Sequence, residues 1–234
     1  MATFVIKDRP TWLGAVAIGD IAHTIAIDYG CEAQDDTVLT DTTRSNAGGL
    51  ETFGFSMDAY ADFTVKDSQL FSGVGGSSPL TLSSQSGADD EVAFLINTTQ
   101  LVHSPFAGSV GDMAGTNISG AAADRLVRGI IEFNDSTSSS GTTTGSQLGA
   151  VASGSSIYAN LHVTAAAGSS LDVIVQSDDN SGFSSATNRI TFTQATGITS
   201  EHLSLAGSVS DDYWRISYTI SGGSFTFAVA LGIA

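Results

Sequence analysis

Apolar and polar residues alternate with a period of two along most of the chain, and helical periodicity is nearly absent. The clearest run places Ile157, Ala159, Leu161 and Val163 on one side and Tyr158, Asn160, His162 and Thr164 on the other, the pattern of a half-buried strand. Similar runs follow at 171–176, 189–193, 202–205, 213–220 and 225–231. The segments between them, AAAGSS, SDDNSGFSSATN, QATGITSE, GSVSDD and SGGS, carry turn chemistry. The region therefore predicts an antiparallel β-sandwich or jelly roll. Trp214, Ile216, Tyr218, Ile220, Phe225, Phe227, Val229 and Leu231 are expected to supply much of its core.

The N-terminal half is also β in pattern, though less regular. Residues 20–28 put Ile21, His23, Ile25 and Ile27 on one face, and residues 52–63 do the same for Phe53, Phe55, Met57, Ala59, Ala61 and Phe63. Further strands are expected at 91–97 and 126–133. The one helix candidate is DSQLFSG at 67–73, with Asp67 placed to cap it. The low-complexity stretch NDSTSSSGTTTGSQLG is expected to be an exposed loop that follows the first strand of a second domain. The chain thus divides into an N-terminal β domain, 1–125, and a C-terminal β-sandwich, 126–234.

One stretch breaks the alternation. QDDTVLTDTTRSNAGGLETFGF, 34–55, runs polar for more than a dozen residues before an apolar strand resumes. Ordered loops of that length in compact domains are usually functional, so a role is expected for it.

Composition narrows the classes of function. The chain has 24 acids against 8 bases, a formal charge of −16, which excludes an ordinary phosphate-gripping surface, since duplex affinity is supplied mainly by Lys and Arg. A single cysteine, Cys31, excludes an internal disulfide framework and every multi-cysteine zinc pattern. No apolar run reaches the 18 or so residues of a spanning helix, and the N-terminus lacks the layout of a signal peptide. Neither a membrane partner nor a cofactor is expected, and synthesis in the cytoplasm is.

Candidate chemistry is sparse. His23, His103, His162 and His202 are far apart and form no HExxH motif. The chain has no GxSxG elbow, no GxxxxGK[ST] cradle and no helix-opening GxGxxG. Asp178, Asp179 and Asn180 lack the alternating spacing and distal Glu of an EF-hand and read as a solvated turn, as do Asp89 with Asp90 and Asp211 with Asp212. A glycosidase acid pair could come from distant strands, but nothing nominates one. No catalytic or metal-binding residue is assigned, and no enzymatic activity is expected.

The string IDYGCEAQDDTVLTDTTRSNAGGLETFGFSMDAYADF resembles the N-terminal region of tailed-bacteriophage, siphophage-like major tail tube proteins, and DSQLF, EVAFLIN and DRLVRG follow in the order such proteins show. The likeness covers roughly residues 1–130. LHVTAAAGSSLDVIVQSDDNSGFSS, ITFTQATG and YWRISYTISGGSFTFAVALGI are similar to β-sandwich ends of virion proteins.

The resemblance implies an all-β chain with a tail-tube-like sandwich or barrel domain, a long stacking loop and a C-terminal sandwich. It implies subunits that form homo-hexameric rings, or trimeric rings as the alternative, stacked into a tube within the virion tail. Its other partners would be tape measure, terminator and distal tail proteins, and phage DNA would pass through without specific binding during ejection. The stacking loop would place Gln34, Asp35, Asp36, Thr37, Asp41, Thr43, Arg44, Ser45, Asn46, Gly48 and Gly49 at the contact between rings. Gly48 and Gly49 would let the backbone turn back into the next strand, and Arg44, the only base between Arg9 and Lys66, could meet a neighbouring carboxylate. Residues 1–125 hold 16 acids and 5 bases, and a negatively lined channel would not retain DNA. A capsid decoration protein and a carbohydrate-binding or hydrolytic β protein are the alternatives.

Overall fold

The computed structural model describes residues 9–40, 42–64 and 66–234. The chain is almost entirely antiparallel β-structure, with sixteen strands and one short helix among the described residues. The C-terminal strands form where the alternation predicts them: β11 (Ser156–Ala166), β12 (Ser170–Asp178), β13 (Thr187–Thr191), β14 (Thr199–Ala206), β15 (Tyr213–Ser221) and β16 (Phe225–Ile233). One layer runs β14–β11–β16–β8, with β8 spanning Val127–Thr137; the facing sheet runs β10–β15–β12–β13, with β10 spanning Ser146–Gln147. Between them lie Ile157, Leu161, Val173, Val175, Trp214, Ile216, Phe225, Phe227, Val229 and Leu231, all buried. Tyr218 and Ile220 are only partly covered. The Trp214 indole N–H donates to the Gly149 carbonyl at 2.9 Å, so this large core side chain leaves no polar atom unpaired.

The low-complexity stretch is not a free loop. After β8 it supplies two short strands, β9 (Gly141–Thr142) and β10 (Ser146–Gln147), that both pair with β15. Threonine and serine suit such an edge: they tolerate extended backbone, and Thr143 Oγ1 accepts the Ile216 N–H at 3.1 Å.

The N-terminal half is organised by β6 (Val92–Ala107). One edge of β6 carries β5 (Ser77–Ser83), which continues to β1 (Thr11–Leu13) and β2 (Val16–Ala17); the other carries β8 first and then β7 (Gly115–Ala122). From β7 the sheet extends to β4 (Asn46–Tyr60) and β3 (Ala22–Asp35). Helix α1 (Lys66–Ser72) buries Leu70 against Ile18, Met57, Ile96 and Ile118. Phe53, Phe55, Met57 and Ala59 are buried as their spacing predicts. Phe63 is 57% exposed, because β4 ends at Tyr60 and the chain leaves the apolar face. Gly120 is required by packing: a Cβ there would lie 2.4 Å from the Phe55 ring.

The two halves share more than a linker. Trp12, Leu95, Val127, Ile131, Ala228 and Ala230 make a third core cluster across the proposed boundary at Arg125. The outward face expected for β11 is covered too, with Asn160 and His162 fully buried. The Asn160 amide donates to Leu80 O and Thr81 Oγ1, both at 3.0 Å. His162 Nε2 lies 2.7 Å from Thr81 Oγ1 and Nδ1 lies 2.6 Å from Gly14 O. These contacts suit a neutral ring that donates from Nδ1, and burial lowers its pKa to about 4.

Candidate functional site

Strands β3 and β4 pair from Ala22↔Ala59 to Asp35↔Asn46, but β7 pairs with β4 only from Gly54 to Tyr60. The outer half of the hairpin is therefore a two-stranded ribbon, and every described residue from Asp28 to Thr52 is exposed. The long polar stretch is thus mostly strand: Gln34 and Asp35 end β3, Asn46, Gly48 and Gly49 lie on β4, and only 36–45 form the connection. Its polarity follows from having water on both faces, which removes the alternation that marks a half-buried strand.

The tip is internally braced. Asp35 accepts from Thr37 N at 3.0 Å, which lowers its pKa together with the Thr37 side chain. Ser45 N donates to Thr37 Oγ1 at 3.0 Å. Arg44 Nε approaches Asp35 at 3.8 Å with 85% of its side chain in solvent, so this pair contributes little. Thr43 and Asp36 are exposed in the same connection, and Asp41 lies outside the described residues. Val38 is 59% exposed and Leu39 wholly so. Ten of the eleven residues expected at a contact surface are thus placed at or next to one protruding tip.

Where the ribbon meets the body, Arg125 forks onto Glu51, with Nη2 to Oε1 at 2.9 Å and Nε to Oε2 at 3.2 Å. The Arg125 hydrogen bonds, helped by Tyr29, lower the Glu51 pKa. The adjacent Asp124 lies 3.2 Å from His202 Nε2, while His202 Nδ1 faces Asn160 Oδ1 at 2.6 Å. Both ring nitrogens face acceptors, an arrangement that suits an imidazolium. Burial opposes that charge and lowers the His202 pKa despite Asp124.

One face of the β3–β4–β7–β6 sheet packs on α1 and the core; the other lies open among the described residues. The register puts Thr24, Ala26 and Asp28, then Ser56 and Asp58, then Asn117 and Ser119 on that open face. Tyr60 and Val102 share that face with these small or polar residues, and none of the residues named is a lysine or arginine. Asp58 accepts from Asn117 Nδ2 at 2.7 Å. Such a surface offers a phosphate no cationic partner.

Elsewhere the titratable groups are structural. Asp178 is buried and accepts from Ser185 N at 2.8 Å and Asn180 N at 3.2 Å, organising the turn around Asn180. Burial lowers the His103 pKa against the opposing pull of Asp67. Sequence reading misses Glu132, buried on β8 and pushed up to about 7, chiefly by burial. Its Oε1 meets Thr143 Oγ1, and its Oε2 lies 2.9 Å from Ser146 Oγ, which also contacts Asp90. One serine hydrogen cannot serve two carboxylates, so the triad is best satisfied with a proton on one acid, and burial makes Glu132 hold its proton up to about pH 7. The only sequence signal was a glutamate inside the apolar run IIEF. Among the described residues, no group of three or more His, Cys, Asp or Glu side chains could hold a metal ion.

No protein-family model and no curated protein matches the chain. Among solved structures, a chain in the virion of a native gene transfer agent particle aligns at 18% identity over 53% of this chain and 97% of its own, TM-score 0.44. A sheath/tube terminator structure of an extracellular contractile injection system aligns at 10% identity over 55% and 97%, TM-score 0.45. The SPP1 Dit protein, described as a paradigm of hub adsorption apparatus in phages infecting Gram-positive hosts, aligns at 9% identity over 97% and 100%, TM-score 0.38.

Proposed function

We propose that the chain is a structural subunit of a phage-like tail, a major tail tube protein that polymerises into stacked rings around a DNA conduit. The observation that carries this reading is the uncovered β3–β4 ribbon. Extended backbone with water on both faces gains no apolar burial to offset its ordering entropy within the monomer. Contact with another subunit supplies that burial. The open sheet face supports the conduit: it presents Asp28 and Asp58 and no base among the residues named, so it offers no counterion-release gain and DNA slides past rather than adhering. Arg125 and Glu51 set the angle at which the ribbon leaves the body. Six subunits per ring is the expectation, with three as the alternative, and tape measure, terminator and distal tail proteins complete the assembly. Residues 1–125 carry the assembly surfaces, and residues 126–234 form the outer sandwich.

The test is negative-stain electron microscopy of purified protein raised through a concentration series. Tubes of stacked rings with a stain-filled channel are expected. Monomers or isolated trimers at every concentration would overturn the reading and favour a decoration protein.

A further inference from the structure

Strand β4 connects two ends of the molecule. Its Asn46 end carries the ribbon tip, and its Tyr60 end adjoins the β6–β7 turn, because Tyr60 pairs with Gly115. Fifteen residues of extended chain hold these ends about 45 Å apart. At the Tyr60 end a second apolar set is exposed. Phe63 and Phe106 lie 6.3 Å apart between ring centroids, and both are more than half exposed, as are Phe71 on α1 and Met113 in the turn. Ala61 N donates to Ala114 O at 2.9 Å, which holds the Phe63 segment against the turn that bears Met113. The Phe63 segment, the end of β6 and the β6–β7 turn thus adjoin, while Phe71 sets its ring edge-on to His103 of β6.

Acids accompany these apolar residues. Asp62 adjoins Phe63 and Asp112 adjoins Met113 along the chain, Asp67 lies in the first turn of α1, and Lys66 is engaged by Asp20. The tip offers the complement: Val38 and Leu39 are its exposed apolar side chains, and Arg44 is its one base, held only loosely within its own chain.

We propose that the ribbon tip of one copy docks on this aromatic patch of a second copy, with Val38 and Leu39 against Phe63, Phe106 and Met113, and Arg44 against Asp112. The inference rests on the assembly reading above and names the surface that receives the tip. Donor and acceptor are different surfaces at opposite ends of one strand, so the contact is heterologous and, with successive copies set end to end along that strand, propagates as a stack rather than ending at a dimer.

Cross-linking tests it. In a Cys31→Ser background, needed because Cys31 is exposed, the pair Leu39→Cys and Met113→Cys treated with a short bis-maleimide should give a ladder of dimers, trimers and higher species. Leu39→Cys alone should give none. An independent arm uses charge: Arg44→Glu should lower the assembled fraction at least tenfold, and adding Asp112→Arg should restore it. Tubes without a ladder would overturn the docking site and leave the tube reading standing. Cross-linking by Leu39→Cys alone would mean that tip meets tip, and would overturn it too. Absence of any assembly in the parent protein would remove both.

Discussion

The C-terminal sandwich and the β3–β4 ribbon are both long antiparallel pairings, yet they hold their shape by different means. In the sandwich each strand is covered on its inner face, and β11 and β16 are covered on both. In the ribbon neither face is covered, and what fixes the strands is the ladder itself, the Asp35–Thr37–Ser45 bracing and the Arg125 fork. The difference teaches that pairing and burial are separable. Hydrogen bonds give the ribbon its register, but its net free energy is small because each bond replaces one to water. The sandwich owes its shape to side-chain burial, whereas the ribbon owes its shape to its ladder and polar bracing.

The largest effect expected is from splitting the chain. Residues 126–234 expressed alone should unfold cooperatively but melt well below the full chain, since the cover over Val127, Ile131, Ala228, Ala230, Asn160 and His162 is gone. A fragment with no cooperative transition would show that the halves form one folding unit. Within the full chain, Trp214→Ala should cost about 3–5 kcal/mol in urea titration, because it empties the centre of the sandwich and orphans the Gly149 carbonyl. Asn160→Leu should cost about 2–3 kcal/mol by removing the buried amide that serves Leu80 O, Thr81 Oγ1 and His202 Nδ1.

The pH profile sharpens the contrast further. Glu132 titrates near 7 when folded and near 4.5 when unfolded. The folded pKa is the higher one, so the contribution of this group is complete below pH 4.5 and is lost as pH rises to about 7. The loss amounts to about 3 kcal/mol. Glu132→Gln should flatten that decline, leaving the variant more stable than the parent at pH 8 and no more stable at pH 4. A parallel decline in both proteins would contradict the assignment. The smallest effect on stability belongs to the ribbon: deleting 36–45 and closing the hairpin with Asn-Gly should change the melting free energy by less than about 1 kcal/mol. The same deletion should abolish tubes in electron micrographs.

The sandwich strands were legible because their inner faces alternate strictly, and Trp214 and Phe227 announce the core. The ribbon was legible only as an anomaly. Gln34 to Gly49 reads as a loop because polar residues on both faces of a strand leave no period to detect. Asn160 and His162 read as outward-facing for a related reason: alternation reports which side chains differ from their neighbours, not whether another part of the chain covers the polar side. Glu132 was illegible, since Thr143, Ser146 and Asp90 reach it from separate elements. For the proposed contact residues, sequence located the stretch, while the ladder register was needed to reduce it to a tip.

Strand β6 has a mechanical consequence. Among the described residues, the ladder joining the two halves is its pairing with β8, four residues from Val92 to Leu95, extended by bonds from Asp90 N and Ile131 N. The ribbon ladder is about three times as long. Ladder bonds lie across the strands, so tension along a strand loads all of them together in shear, and resistance grows with the number of rungs. Tension applied between the two halves of the chain would therefore part the short inter-half seam before it opened the β3–β4 hairpin. The C-terminal sandwich would then shift on the N-terminal half while the hairpin kept its register.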